Sequence, residues 1–200
     1  ISQASKEGLF FDKKIIPGKK ATPQDVVQAA LKTKSQTIAY TYTEPTIFYE
    51  LAYDCMVLAN TEGLKNIWVS NGYTQNKPLE KAKPFLDAVN IDLKFFKDST
   101  YRKICGARLQ PVLDNLIWYK KNDIWLEVTT LIIPGLNDAD TELNEIAKFI
   151  KKNLGAETPW HVTAFYPTYK LTDHPPTPVE TIKRAWQIGK DAGLKYVYGG

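Results

Sequence analysis

Beyond residue 21 the chain alternates between two hydrophobic spacings. Short runs rich in β-branched and aromatic residues are each followed by a stretch in which apolar side chains return every three or four positions. The short runs predict strands at Thr37 to Thr43, Lys65 to Ser70, Ala88 to Lys94, Trp125 to Ile133, Trp160 to Tyr166 and Leu194 to Tyr198. The longer stretches predict helices between them. Thr22 caps the first, with Pro23 at its first position and Val26, Val27, Ala30 and Leu31 on one face. The second carries Phe48, Leu51, Ala52, Cys55, Leu58 and Ala59 and closes at Gly63. A weaker helix is expected around Leu79 to Leu86, a short one before Cys105-Gly106, and another over Pro111 to Lys121. Asn137 or Asp138 is expected to cap a helix that closes at Gly155, and a last one runs from Val179 to Ala192. Residues 1–21, polar and rich in lysine, read as an extended lead-in to a single domain that takes the whole chain.

The stretch Thr37 to Thr46 organises this pattern, because a strand there meets Glu44-Pro45 and a helical stripe begins at once. Proline suits the first helical position, where its missing N–H has no intrahelical partner, so Glu44 is expected at or beside the N-cap. As a cap it would only complement the helix dipole, by roughly 0.3–1 kcal/mol. At the carboxyl end of a parallel strand it would instead stand where α/β folds place their chemistry.

Ala88 to Lys94 sharpens the choice. Val89, Ile91 and Leu93 fall on one face, and Asn90, Asp92 and Lys94 on the other. A strand covered by helices on both sides would be apolar throughout, so a fully polar face looks into a wet or ligand-filled lumen. Strand and helix in alternation with short connections argue for parallel βαβ units and for a barrel or part of one. Such a fold would gather Tyr42, Glu44, Ser70, Asn71, Asp92, Lys94, Thr129, Thr130, His161 and Tyr166 on one rim. An acid, an Asp and Lys pair and several neutral donors there suit a zwitterionic ligand that carries a ribose.

Composition narrows the function classes. Two hundred residues with 44% hydrophobic content suffice for one α/β core. No apolar run reaches the roughly 18 residues that span a bilayer, and no membrane partner is expected. Cys55 and Cys105 are the only two cysteines, which excludes a disulfide framework and points to a reducing, cytoplasmic setting. Cys55 lies on an apolar stripe and reads as core. The net charge of +4 comes from scattered lysines, not from a basic stripe, so nucleic acid is not an expected partner. The chain begins at Ile1 without methionine or leader and is expected to be a piece of a longer protein.

Thr41-Tyr42-Thr43-Glu44-Pro45, Ser70-Asn71-Gly72, Asp92-Leu93-Lys94, Tyr101-Arg102-Lys103-Ile104-Cys105-Gly106, Glu127 to Gly135 and Trp160-His161-Val162 together resemble a radical S-adenosylmethionine enzyme. More narrowly, the chain is similar to the radical-SAM member of the AmmeMemoRadiSam system, a relative of the activating enzymes of pyruvate formate-lyase and other glycyl radical enzymes. The resemblance implies an α/β fold, a partial (β/α)6 TIM-like barrel of parallel strands, that binds S-adenosylmethionine across its carboxyl rim. Glu44 falls where the family holds the methionyl ammonium. Ser70, Asn71, Asp92 and Lys94 match positions that contact the ribose and carboxylate or shape their site. Tyr42 stands beside them, and Thr129 and Tyr166 would lie near the nucleoside. Tyr166 stands near a position where activases often carry histidine; His161 is either the substitute within reach or, as a lone histidine in a barrel strand more often is, a satisfied core group.

The family's C-x3-C-x2-C loop, which holds a [4Fe–4S] cluster, is absent, and ligation needs thiolates gathered on one loop. The resemblance therefore implies a fragment that starts just downstream of the loop, lacks the first barrel strand and is inactive alone. In the parent enzyme a reduced cluster would cleave S-adenosylmethionine to a 5′-deoxyadenosyl radical. That radical would act on a protein or small-molecule substrate, with electrons from a donor such as ferredoxin or flavodoxin. Two other readings stay open: a scaffold or partner-binding module that has lost the cluster, and a TIM-like hydrolase or lyase that uses Asp92, Lys94 and Glu44.

Overall fold

The computed structural model describes residues 19–168 and 170–200, so the expected lead-in lies outside the described residues except for 19–21. Its strands form one open, six-stranded sheet in chain order, β1 to β6, and every strand neighbours the next one in sequence. This is the parallel α/β architecture that the alternation predicts, left unclosed. Internally the contacts fall into two units, one comprising the residues up to Ser70 with Lys77–Ala88 and the other Asn71–Asn76 with Val89–Gly200.

In the first unit, helix α1 (Pro23–Lys32) opens on a reciprocal cap in which Thr22 Oγ1 accepts from Asp25 N and Asp25 accepts from Thr22 N. Val27 of α1 packs with Ala59, Leu64, Ile38 and Leu58. Strand β1 (Thr37–Tyr40) pairs in parallel with β2 (Lys65–Ser70), in register from Thr37 opposite Lys65 to Tyr40 opposite Trp68. Helix α2 (Tyr49–Thr61) follows β1, and helix α3 (Asn76–Ala82) follows β2. Fully buried Asn66 ties β2 to its surroundings: its amide donates to Met56 O and Phe85 O, and its Oδ1 accepts from the Tyr40 hydroxyl at 2.9 Å.

Here the expected strand-to-helix junction is corrected. β1 stops at Tyr40 and α2 does not begin until Tyr49, with Phe48 as its N-cap, so Glu44 caps no helix. Residues 44–47 form a turn closed by Ile47 N donating to Glu44 O at 3.0 Å. The Glu44 carboxylate turns toward hydroxyl donors, not toward the first N–H groups of α2. Leu51, expected inward on α2, is exposed.

The second unit holds β3 (Ala88–Asp92, begun one residue before the unit), α4 (Asp98–Thr100, prolonged by a wider turn over Tyr101–Cys105), α5 (Leu109–Lys121) and β4 (Trp125–Ile132). It continues with α6 (Asp140–Phe149, prolonged over Ile150–Leu154), β5 (Trp160–Ala164), α7 (Val179–Asp191) and β6 (Val197–Gly199). β4 to β6 pair in parallel, with Thr129 opposite His161 and His161 opposite Tyr198. Val89, Ile91, Val128, Ile132, Trp160 and Val162 are buried, while Asn90, Asp92, Glu127, Thr129, His161 and Thr163, alternating with them, stay half-buried. One sheet face is therefore core and the other is polar, as the alternation in Ala88 to Lys94 requires. On the core face α7 lies so close that a Cβ at Gly189 would stand 2.9 Å from the Trp160 ring.

A second expectation fails at α6. Its N-cap is Ala139, and neither Asn137 nor Asp138 caps it. Asn137 instead accepts from Ile133 N at 2.7 Å, and Asp138 accepts from Gly135 N at 2.8 Å, so both shape the turn that Pro134-Gly135 begins.

Candidate functional site

In the first unit the site is built on Glu44, 7% exposed, and Ser70, the last residue of β2. Ser70 Oγ donates to Glu44 Oε1 at 2.7 Å, and Thr46 Oγ1 donates to the same oxygen at 3.1 Å. A carboxylate this deeply placed needs such donors. Tyr42 precedes the turn with its side chain 93% exposed, and the structure brings it to neither residue.

Asn71 and Gly72 continue the chain into the second unit. Asn71 Oδ1 accepts from Tyr73 N at 2.8 Å and so shapes its own turn. Gly72 has φ +70°, and a Cβ there would sit 2.7 Å from Ile91 Cγ2, which only glycine avoids.

The structure brings Asp92 and Lys94 together at the end of β3, with Lys94 Nζ donating to Asp92 Oδ2 at 2.7 Å. The backbone beneath them is held at several points. Leu93 N donates to Thr129 O, Thr130 Oγ1 donates to Leu93 O, Asn137 Nδ2 donates to Lys94 O at 2.7 Å, and Lys94 N donates to the Tyr101 hydroxyl. Burial pushes the Tyr101 hydroxyl well above the ordinary phenol range, so it stays a neutral acceptor. Two residues further, Phe96 N donates to Glu142 Oε1 at 2.8 Å, and Lys97 Nζ lies 3.5 Å from Glu142 Oε2, which is fully buried.

On the polar face Thr129 Oγ1 donates to Asn90 Oδ1 at 2.7 Å. His161 is the second residue of β5 and so lies at the amino end of that strand, not on the carboxyl rim where it was expected. β5 begins at Trp160, directly after Pro159, and its pairing puts His161 opposite Thr129 in the middle of β4. His161 Nε2 is bonded to Glu127 Oε2 at 2.8 Å. Tyr166 lies beyond β5 and is 72% exposed. Glu127, Asn137 and Glu142 escaped the sequence reading as site residues. Glu127 was detectable, since it shares the alternation of Thr129; the other two were not, because their partners are distant backbone groups.

A [4Fe–4S] cluster finds no set of ligands here. The chain has two cysteines, Cys55 buried on α2 and Cys105 exposed after α4, and among the described residues no group of three or more His, Cys, Asp or Glu is placed to hold a metal. S-adenosylmethionine fits better, since its ammonium calls for a sheltered carboxylate, and Glu44 is one. Among the described residues no helix is long and apolar enough to cross a membrane.

The profile of the Radical SAM superfamily matches residues 4–150. An uncharacterized protein of Methanocaldococcus jannaschii is 47% identical over 185 residues, 92% of this chain and 55% of its own. The choline trimethylamine-lyase activating enzyme of Oleidesulfovibrio alaskensis is 21% identical over 102 residues, which is 51% of this chain and 33% of the relative. The chain thus spans about half or less of the length of these relatives. Among solved structures, a domain of pyruvate-formate lyase-activating enzyme from Bacteroides vulgatus superposes with a TM-score of 0.69 at 16% identity, over 82% of this chain and 98% of that one. That likeness shows the fold.

Proposed function

The chain belongs to the Radical SAM superfamily, and from that premise we propose that it is the S-adenosylmethionine-binding part of an activase-type enzyme similar to those that activate glycyl radical enzymes. S-adenosylmethionine, when bound, supplies the hydrogen-abstracting chemistry of the superfamily. The chain's own residues bind it, orient it and exclude water. Glu44 receives its ammonium, oriented by the hydroxyls of Ser70 and Thr46. Asn71, Asp92 and Lys94 serve its ribose and carboxylate, and Tyr42, Thr129 and Tyr166 serve the nucleoside. His161 is set aside from this list, because its Nε2 is held by Glu127 at the amino end of β5.

Two of the relatives' names support an activase reading with a protein substrate, one of them choline trimethylamine-lyase activating enzyme and the other (2S)-3-sulfopropanediol dehydratase activating enzyme. A soluble electron donor such as ferredoxin or flavodoxin in the cytoplasm completes the proposal. With two cysteines, the chain is proposed to be inactive unless the cluster ligands come from elsewhere. Anaerobic reconstitution of these residues with iron and sulfide is expected to give no [4Fe–4S] absorption, and stoichiometric incorporation would refute that.

One observation carries the reading: a sheltered carboxylate, Glu44, fixed by Ser70 at the carboxyl end of a parallel strand. Glu44→Gln keeps the shape and removes the charge. It is expected to weaken S-adenosylmethionine binding by about 1.5–3 kcal/mol while leaving the fold nearly intact. Isothermal titration beside thermal unfolding tests this. Unchanged affinity with a lowered melting point would make Glu44 a structural residue only.

A further inference from the structure

The polar face of the second unit carries a row of side chains that the proposed cofactor contacts do not use. Pairing of β4, β5 and β6 sets His161 beside Tyr198, and Glu127 precedes Thr129 by two residues on the same face. The imidazole of His161 is fixed twice. Its Nε2 is bonded to Glu127 Oε2 at 2.8 Å, and its ring stacks on Tyr198, with centroids 5.1 Å apart and planes 25° from parallel. Trp125 Nε1 donates to the other carboxylate oxygen, Oε1, at 3.2 Å.

Among the described residues no lysine or arginine forms an ion pair with Glu127; its one such contact is His161. The Lys94 ammonium on the same unit is engaged with Asp92. Two of the roughly four lone-pair sites of the Glu127 carboxylate are used, and in the neutral imidazole with Nε2 donating, the second ring nitrogen of His161 is an acceptor. Tyr198 and Trp125 add large, exposed aromatic surfaces. Acceptors, a carboxylate with open lone-pair sites and ring faces suit a cation that donates hydrogen bonds. They repel an anion and leave an apolar group against a carboxylate that still needs solvation.

We propose that Glu127, His161, Tyr198 and Trp125, all near the amino ends of their strands, form a binding subsite, separate from the cofactor contacts, for a ligand that carries a cationic nitrogen group, an ammonium or guanidinium. The cation site stands on the cluster alone. Glu127 supplies the charge, His161 an oriented acceptor, and the rings of Tyr198 and Trp125 the walls.

The test titrates the protein with n-butylammonium, n-butanol and butyrate and follows the ring resonances of His161 by NMR. The chain has only two histidines, so His174 serves as the internal reference. A saturable shift of His161 with n-butylammonium alone is expected. It should weaken about tenfold or more in Glu127→Gln and several-fold in Tyr198→Leu. An equal response to n-butanol, no saturable response, or an undiminished response in Glu127→Gln with His174 unmoved would overturn the proposal. Repeating the titration with saturating S-adenosylmethionine separates the two readings. A shift that persists places the cation outside the cofactor site, and competition between the two would overturn the separate subsite. A protein that fails to bind S-adenosylmethionine yet keeps the n-butylammonium response would refute the proposed function and leave the subsite standing.

Discussion

The turn after β1 and the turn after β3, both proposed to meet the cofactor, are held by opposite means. In the first, the residue proposed to meet the ligand is itself the anchor: Thr46 and Ser70 both fasten onto the Glu44 carboxylate. In the second, Asp92 and Lys94 extend from a backbone held by other residues, Asn137, Thr130 and Glu142. Stability and binding are therefore fused at one turn and divided at the other. A substitution at the first turn should move both quantities; in the second, the anchors and the pair can be changed separately.

The largest expected effect is on the divided turn. Asn137→Ala removes the partners of Ile133 N, Lys94 O and Leu131 O at once, and buried groups left unpaired cost about 1–3 kcal/mol each. A loss of roughly 3 kcal/mol is expected in urea unfolding. A loss below about 1 kcal/mol would mean that the turn is not held as described. Glu142→Leu comes next, with about 1–3 kcal/mol lost because Phe96 N keeps no acceptor. Glu142→Gln should recover most of that through its amide oxygen, and hydrogen exchange at the Phe96 amide should be fast only in the leucine variant.

At the fused turn, Ser70→Ala should lower stability by about 0.5–1.5 kcal/mol, the net worth of one hydrogen bond. It should also reduce S-adenosylmethionine affinity, because Glu44 loses its orienting donor. A stability change without any affinity change would break the contrast between the turns.

The smallest effect lies at Asp98, which begins α4 just past the divided turn. Its hydrogen bond from Arg102, and then that from Leu109 N, hold its carboxyl below the usual carboxylate range. A lowered folded-state pKa means a contribution present above the unfolded value, near pH 4, and lost as pH falls through the folded one. Asp98→Asn should accordingly flatten the acid limb by lowering stability slightly at neutral pH, where the charge contributes, and should leave stability below the folded pKa almost unchanged.

The fold was legible wherever periodicity governs. The polar face of Ala88 to Lys94 was read correctly because alternation follows directly from the pleat. The junction after β1 was misread, because proline's suitability for a helix start competed with the attraction of a buried carboxylate to hydroxyl donors, and the second prevailed. His161 was grouped with Tyr166 on the rim although the strand expected over Trp160 to Tyr166 begins one residue before it, and strand register decides the depth at which a side chain stands. Asn137 looks like a helix cap in sequence because capping and turn-bracing draw on the same short polar side chains.

One small feature reaches further than its size. Trp160 Nε1 donates to Thr130 Oγ1, which donates in turn to Leu93 O, so a single hydroxyl links β5, β4 and the end of β3. A one-residue slip of β4 would carry that hydroxyl to the opposite face and strand the indole N–H away from water. The Trp160, Thr130 and Leu93 chain thus works as a checksum on strand alignment: an arrangement that passes it has Thr129 and Glu127 facing the polar side, and one that fails is penalised before any ligand arrives.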